Sequence, residues 1–315
     1  MRTRDNFMIF NRRKGRTAKP KVLHLLESGT DKSLREAKRT TQKLLSFHWN
    51  YYSELARQRN LIKDDIIEAL TQPCTSFEIN NWQRGVKYKY GLHPLSIVGS
   101  LTNIGGRFNT GVNVNTELPS FPALYIAINK DTALQEHLGQ TPNELLSPRE
   151  MALTNPASET IVSISGKFDK VFDLTNEASL EPFIKLIKQF ELSKELKVRA
   201  HELGEPNPET IKTTRKLLES LLMTTWRDYP SRYDIPANSQ IFGHLIYTSG
   251  VEGILYPSKL TNEPCLALFP RNFQGTDSYI ELDDETPHHK VPIKIDGTNW
   301  RLSELSSQEI FGFEE

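Results

Sequence analysis

The chain has 315 residues, 37% hydrophobic and 25% charged, enough to bury the core of one large domain or two ordinary ones. Lysine plus arginine equals aspartate plus glutamate, 39 of each, so net charge selects neither an acidic nor a basic partner. No apolar run reaches the roughly 18 residues of a membrane span, and none is expected.

Charge is unevenly spread. Residues 1–43 are rich in Lys and Arg, whereas Asp277, Glu281, Asp283, Asp284 and Glu285 crowd the other end. Solvated surface is the first reading of such a split, ahead of mutual docking or a nucleic-acid arm. The opening residues are basic without an apolar stretch behind them, unlike a secretory leader. Cys74 and Cys265 are far apart, with no CxxC, so neither a disulfide framework nor a zinc knuckle is expected. A reducing, cytoplasmic setting follows as the expectation.

In chain order, residues 1–20 read as a basic lead. Leu34, Leu44, Leu45, Trp49, Tyr52 and Leu55 recur at helical intervals within Asp31–Arg59. A second helix over Asn60–Thr71 ends before Pro73. Residues 1–73 are thus a helical extension, and 74–315 the main domain. Phe77–Ile79 and Gln83–Tyr88 read as short strands, followed by a Gly/Ser/Thr/Asn-rich loop from Gly91 to Ser120. Ala123–Ile128 is an apolar strand, and Asn129 or Asp131 opens a helix over Thr132–Leu138. Thr160–Ser165 and Lys170–Leu174 suggest a hairpin turning at Gly166. Residues 177–237 form a helical insertion, and Asn238–Ser249 is a helix stopped by Gly250. Strands return at Gly253–Tyr256, Cys265–Phe269 and Tyr279–Leu282. The fold class is α+β, a mixed sheet with helices before it and inserted into it.

The densest motif is Gly105-Gly106-Arg107-Phe108-Asn109-x-Gly111. Paired glycines let the backbone approach a ligand, and the arginine can grip a phosphate with two parallel hydrogen bonds. Alone, it would be a surface turn. It is not a GxxxxGK[ST] phosphate loop, and no GxGxxG follows a strand, so a Rossmann site is not expected.

In chain order the motifs are Gln83-Arg84, the Gly105–Gly111 loop, Leu124-Tyr125-Ile126-Ala127, Leu134-Gln135-Glu136 and Tyr256-Pro257-Ser258. This order resembles the RES domain, a family named for its Arg, Glu and Ser, over about residues 78–275. Phe108 stands where the family usually has Trp. Val112–Pro122 is longer than the usual loop, and 177–237 is an insertion relative to compact members. Taken singly, Tyr125 would be a core residue, Glu136 a solvated helix residue, Ser258 a turn residue and Arg84 an ion-pair partner. It is their shared order that favours a site.

The resemblance implies a split sheet like that of ADP-ribosyltransferases and a toxin that destroys NAD⁺. It also implies an antitoxin partner that blocks the site. NAD⁺ would be substrate rather than cofactor, and no metal is needed because nicotinamide is already a cationic leaving group. Arg84 and Arg107 would hold the pyrophosphate. Glu136 would stabilise positive charge on the ribose, and Tyr125 would orient the nicotinamide ring. Gly105, Gly106 and Asn109 would shape the binding loop, and Ser258 would bind a phosphate oxygen or the acceptor. Two alternatives stand beside this: ADP-ribose transfer to a protein, and a nucleic-acid-binding or scaffold protein with an inactive core. His93 and His137 flank the motifs and are read as structural or exposed. Trp226, Arg227, Tyr229, Arg232 and Tyr233 are read as helix-end packing, less often as a partner surface. A nucleic-acid partner is not expected, and with no sustained heptad the sequence sets no oligomeric state.

Overall fold

The computed structural model describes residues 30–87, 90–114, 118–138, 159–204, 210–286 and 288–312. The basic lead of residues 1–20 lies outside them. The chain divides into two compact units, the described parts of 1–56 with 191–210 and of 57–190 with 211–315. The boundary therefore falls inside the first helix, α1 (Thr30–Leu61), and not at residue 73.

In the first unit, α1 meets α5 (Lys194–Glu202). Phe47 packs with Leu192, Leu196 and Ala200, flanked by Tyr51, Leu55 and Leu203. The Ser193 hydroxyl accepts the Leu196 N–H at 3.3 Å and caps α5.

The second unit begins with α2 (Lys63–Thr71), whose Ile66, Ala69 and Leu70 are buried. This buried face is why α2 belongs to the main domain. It packs against α4 (Glu181–Ile187) and α8 (Asn238–Thr248).

Strand β1 (Thr75–Lys87) is continuous where two short strands were expected. Asn81 takes the left-handed conformation, φ 56°, at an irregularity between Ile79 and Trp82. The bulge bends the strand without ending it. β2 (Leu124–Ala127) leads into α3 (Lys130–Leu138), and the Asn129 side chain accepts the Thr132 N–H at 2.9 Å, as the capping expectation required.

β3 (Glu159–Asp173) is one strand and replaces the expected hairpin. Gly166 makes no turn. A Cβ there would lie 2.6 Å from the Tyr279 carbonyl of the adjoining strand, so the glycine permits close backbone approach within a ladder.

The remaining strands are β4 (Gly253–Pro257), β5 (Pro264–Leu268), β6 (Tyr279–Leu282) and β7 (Lys294–Asp296). Their order is β1-β2-β5-β4-β3-β6-β7, with β1 also paired to β3. The β3–β4 pairing is parallel and the other described pairings are antiparallel, so the sheet is mixed as expected. The β1–β3 ladder links the two ends of the β1-β2-β5-β4-β3 series, and Gln83 stands at the junction, opposite both Ala127 and Ser163.

Ile79, Trp82, Leu124, Ile164, Phe168 and Leu266 anchor the main apolar cluster. Elsewhere Phe242 of α8 meets Phe172 at 5.4 Å and Phe183 at 5.8 Å between ring centroids. The stretch between β3 and α8 is helical, as expected. It carries α4, α5, α6 (Thr214–Leu221) and α7 (Asp228–Tyr233). A last short helix, α9 (Ser307–Phe311), is capped by Ser306. Among the described residues, no helix is long and apolar enough to cross a membrane.

Candidate active site

The loop between β1 and β2 is built around the hydrogen bonds of three side chains, Asn109, Tyr125 and Gln240. Asn109 is fully buried; its amide nitrogen donates to the Ser100 and Phe121 carbonyls at 2.8 and 3.1 Å. Its Oδ1 accepts from the Gly106 N–H and from the Tyr125 hydroxyl, both at 2.9 Å. That hydroxyl in turn accepts the Phe108 N–H at 2.9 Å. Gln240, on α8, brings its side-chain nitrogen within 2.8, 3.1 and 3.0 Å of the Ile104, Gly106 and Asn109 carbonyls. The two N–H groups of one side chain are thereby shared among three loop carbonyls.

The glycines are demanded by this closeness. Gly105 has φ +82°, and a Cβ on Gly106 would lie 2.5 Å from the Tyr125 oxygen. The Asn109–Tyr125 pair thus fixes the backbone on which Arg107 stands. Burial holds the Tyr125 phenol well above its ordinary pKa, so it stays protonated and serves as a structural donor.

Beside this loop lies a cavity of about 420 Å³. Arg107, Tyr125 and Glu136 all line it, as does Gly106. Three groups distant in sequence therefore share one space. Arg107 is oriented by its Nη1, which donates to the Met223 carbonyl at 2.8 Å and, more weakly, to Leu221 at 3.4 Å. Glu136 is oriented by Ser258, whose Oγ donates to Oε1 at 2.6 Å. Ser258 is itself fully buried and accepts the Leu260 and Thr261 N–H groups at 3.1 and 3.2 Å. A carboxylate half-buried in the wall and held by a short charge-assisted bond is fixed in orientation before any ligand arrives. Phe108 packs edge-on against Tyr256 at 4.8 Å, an aromatic contact between the loop and the sheet.

Two expected site residues do other work. Arg84 does not reach this cavity. Its Nε donates to Pro94 O at 2.9 Å, Nη1 to Tyr125 O at 3.1 Å and Nη2 to Ser96 O at 2.8 Å. Burial pushes its pKa down to about 10, so it remains cationic at neutral pH while pinning three carbonyls. Strand alternation is the cause: Gln83 and Gly85 line the cavity, and Arg84 faces away with Trp82 and Val86. A second cavity of about 450 Å³ borders Arg84, and Tyr125 and Gly106 form part of its wall too. Ser258 likewise has no face on the main cavity and acts through Glu136.

Other lining residues lie outside the sequence motifs. Trp226, Arg227 and Lys259 border the cavity. The aromatic–basic cluster expected to be helix-end packing is divided. Tyr229 and Tyr233 do pair at 6.0 Å, but Trp226 and Arg227 face the site. Lys259, directly after the Pro257-Ser258 step, carried no motif of its own. His93 is structural, as expected: it is buried, its Nε2 lies 2.8 Å from the Leu302 carbonyl, and burial lowers its pKa. The side chain of His137 lies outside the described residues. Both cysteines are free.

Comparison with known proteins identifies the family. The family model described as "RES domain" matches residues 88–292, well over half of the chain, and the chain belongs to the RES-domain family. It matches no curated protein. Among solved structures, a chain in "Crystal structure of the M.tuberculosis MbcT-MbcA toxin-antitoxin complex" is similar, with 12% identity and a TM-score of 0.36. That likeness covers 76% of this chain and 97% of the other.

Proposed function

We propose that this chain cleaves the nicotinamide–ribose bond of NAD⁺, as an NAD⁺ phosphorylase or glycohydrolase. The observation that carries the reading is the shared cavity: Arg107, Tyr125 and Glu136 line one space, and Glu136 is held in place by Ser258. Membership of the RES-domain family supports it.

The chemistry needs little more. As the bond between ribose C1′ and the pyridinium nitrogen lengthens, its electron pair goes to that nitrogen and neutralises it. Positive charge is left on the ribose. The Glu136 carboxylate is a fixed negative group where that charge develops, and a prearranged charge does not have to reorganise as the bond breaks. Water or phosphate then attacks C1′; water loses a proton in doing so. Tyr125 offers its ring to the nicotinamide, since its hydroxyl is engaged by Phe108 and Asn109. Arg107 stands on the loop itself, lines the cavity and is the cation assigned to the pyrophosphate.

NAD⁺ is the substrate in this account. An antitoxin that covers the cavity mouth is the expected protein partner, and the cytoplasm, where NAD⁺ is plentiful, is the expected compartment. The test is product analysis of purified protein with NAD⁺, in buffers with and without phosphate. Free nicotinamide with ADP-ribose or its 1″-phosphate supports the reading. Label from NAD⁺ retained on a protein band would replace it with protein ADP-ribosylation.

A further inference from the structure

We propose that Arg227 and Lys259, together with Arg107, hold the pyrophosphate of the substrate, the role expected of Arg84; this rests on the reading that a dinucleotide fills the cavity. Arg107, Arg227 and Lys259 line one wall system with a single carboxylate, Glu136. Glu136 is engaged by Ser258, and Arg107 by two carbonyls. Arg227 and Lys259 have no side-chain acceptor among the described residues. Elsewhere on the same stretch, Arg232 is paired with Asp228 at 3.7 Å and Arg215 with Glu219 at 3.1 Å.

Three cations around one carboxylate leave the cavity with an excess of positive charge. Such charge on low-dielectric walls attracts a dianion and repels a neutral or cationic ligand. The pyrophosphate carries two negative charges, and the two unengaged cations can match it. Arg227 also rests on an aromatic face. Its guanidinium carbon lies 4.6 Å from the centre of the buried Trp226 ring, a contact that favours a planar guanidinium and leaves its N–H groups for an anion.

The geometry gives the helical stretch between β3 and α8 a task. Leu221 and Met223 orient Arg107 through their carbonyls, and Trp226 and Arg227 follow within one turn of chain before α7. The same short segment therefore positions one cation and supplies another. Arg84, with its three carbonyls, is unavailable for that work.

The probe is ADP-ribose, which keeps the pyrophosphate and lacks nicotinamide, with adenosine as the phosphate-free control. Calorimetric titration of the full chain is expected to show ADP-ribose binding that weakens steeply with salt. Arg227→Gln and Lys259→Gln are each expected to weaken it about tenfold and to leave any adenosine binding unchanged. In turnover of NAD⁺, KM is expected to rise by more than kcat falls. Both side chains are exposed, so folding, read by thermal melting, should be retained. The assignment is overturned if the wild-type chain does not bind ADP-ribose, or if both variants bind it like wild type. If ADP-ribose binding depends on Arg227 and Lys259 but no nicotinamide is released, the cleavage reading fails and this assignment stands. If nicotinamide is released and both variants keep the wild-type KM, the reverse holds.

Discussion

Ser258 Oγ donates to Glu136 Oε1 at 2.6 Å, joining two residues 122 positions apart. The hydroxyl accepts two backbone N–H groups of the turn that follows it, so its own proton is directed at the carboxylate. Ser258 thus positions Glu136 and does not itself face the cavity.

Ser258→Ala removes this aim. The carboxylate regains rotational freedom, and the Leu260 and Thr261 N–H groups lose an acceptor. NAD⁺ cleavage is expected to drop about tenfold to a hundredfold in kcat, with a smaller change in KM, because the lost interaction orients a group that acts on the transition state. Steady-state kinetics check this; a change confined to KM would show that Ser258 contacts substrate instead.

Arg84→Ala should act on folding first. It leaves the Pro94, Ser96 and Tyr125 carbonyls without their shared donor. A loss of about 3 kcal/mol or more in unfolding free energy is expected, since unsatisfied buried acceptors cost on the order of 1–3 kcal/mol each. Urea denaturation measures it. A fully stable variant with only a raised KM would restore Arg84 to the pyrophosphate.

His244 gives stability an acid limb. Burial, with the Lys63 and Arg59 charges, pushes its pKa down to about 4 from 6.5. Its ring packs edge-on against Phe121 at 5.4 Å. The unfolded chain takes up the proton as pH falls through 6.5, whereas the folded chain resists until about 4. This contribution is therefore fully present above 6.5, is lost between 6.5 and 4, and changes no further below that. Melting temperatures across that window should fall less steeply in His244→Gln than in wild type; identical slopes would count against it.

The site was legible to the extent that it lies in local motifs. The order of the Gly-Gly-Arg loop, the Leu-Tyr strand, the glutamate helix and the Pro-Ser step brought Arg107, Tyr125 and Glu136 to one cavity. A signal that would have corrected Arg84 was also present. In Trp82-x-Arg84-x-Val86 the arginine alternates with two core residues, which places it on the buried face. Gly166 misled in the other direction, because a glycine that permits close strand approach looks like a turn in one dimension. Arg227 and Lys259 carry no local pattern. Only the chain's return past α6 brings Arg227 to the loop, and a contact of that kind has no periodicity to read. The bond between Ser258 and Glu136 is hidden for the same reason.

The most direct test of the account is the rate of nicotinamide release from NAD⁺ by wild type and by Glu136→Gln. The substitution keeps shape and hydrogen-bonding capacity and removes the charge. A fall of at least about a hundredfold in kcat, with binding of ADP-ribose retained, is predicted for a carboxylate that stabilises ribosyl positive charge. Release of nicotinamide at the wild-type rate by Glu136→Gln would contradict it.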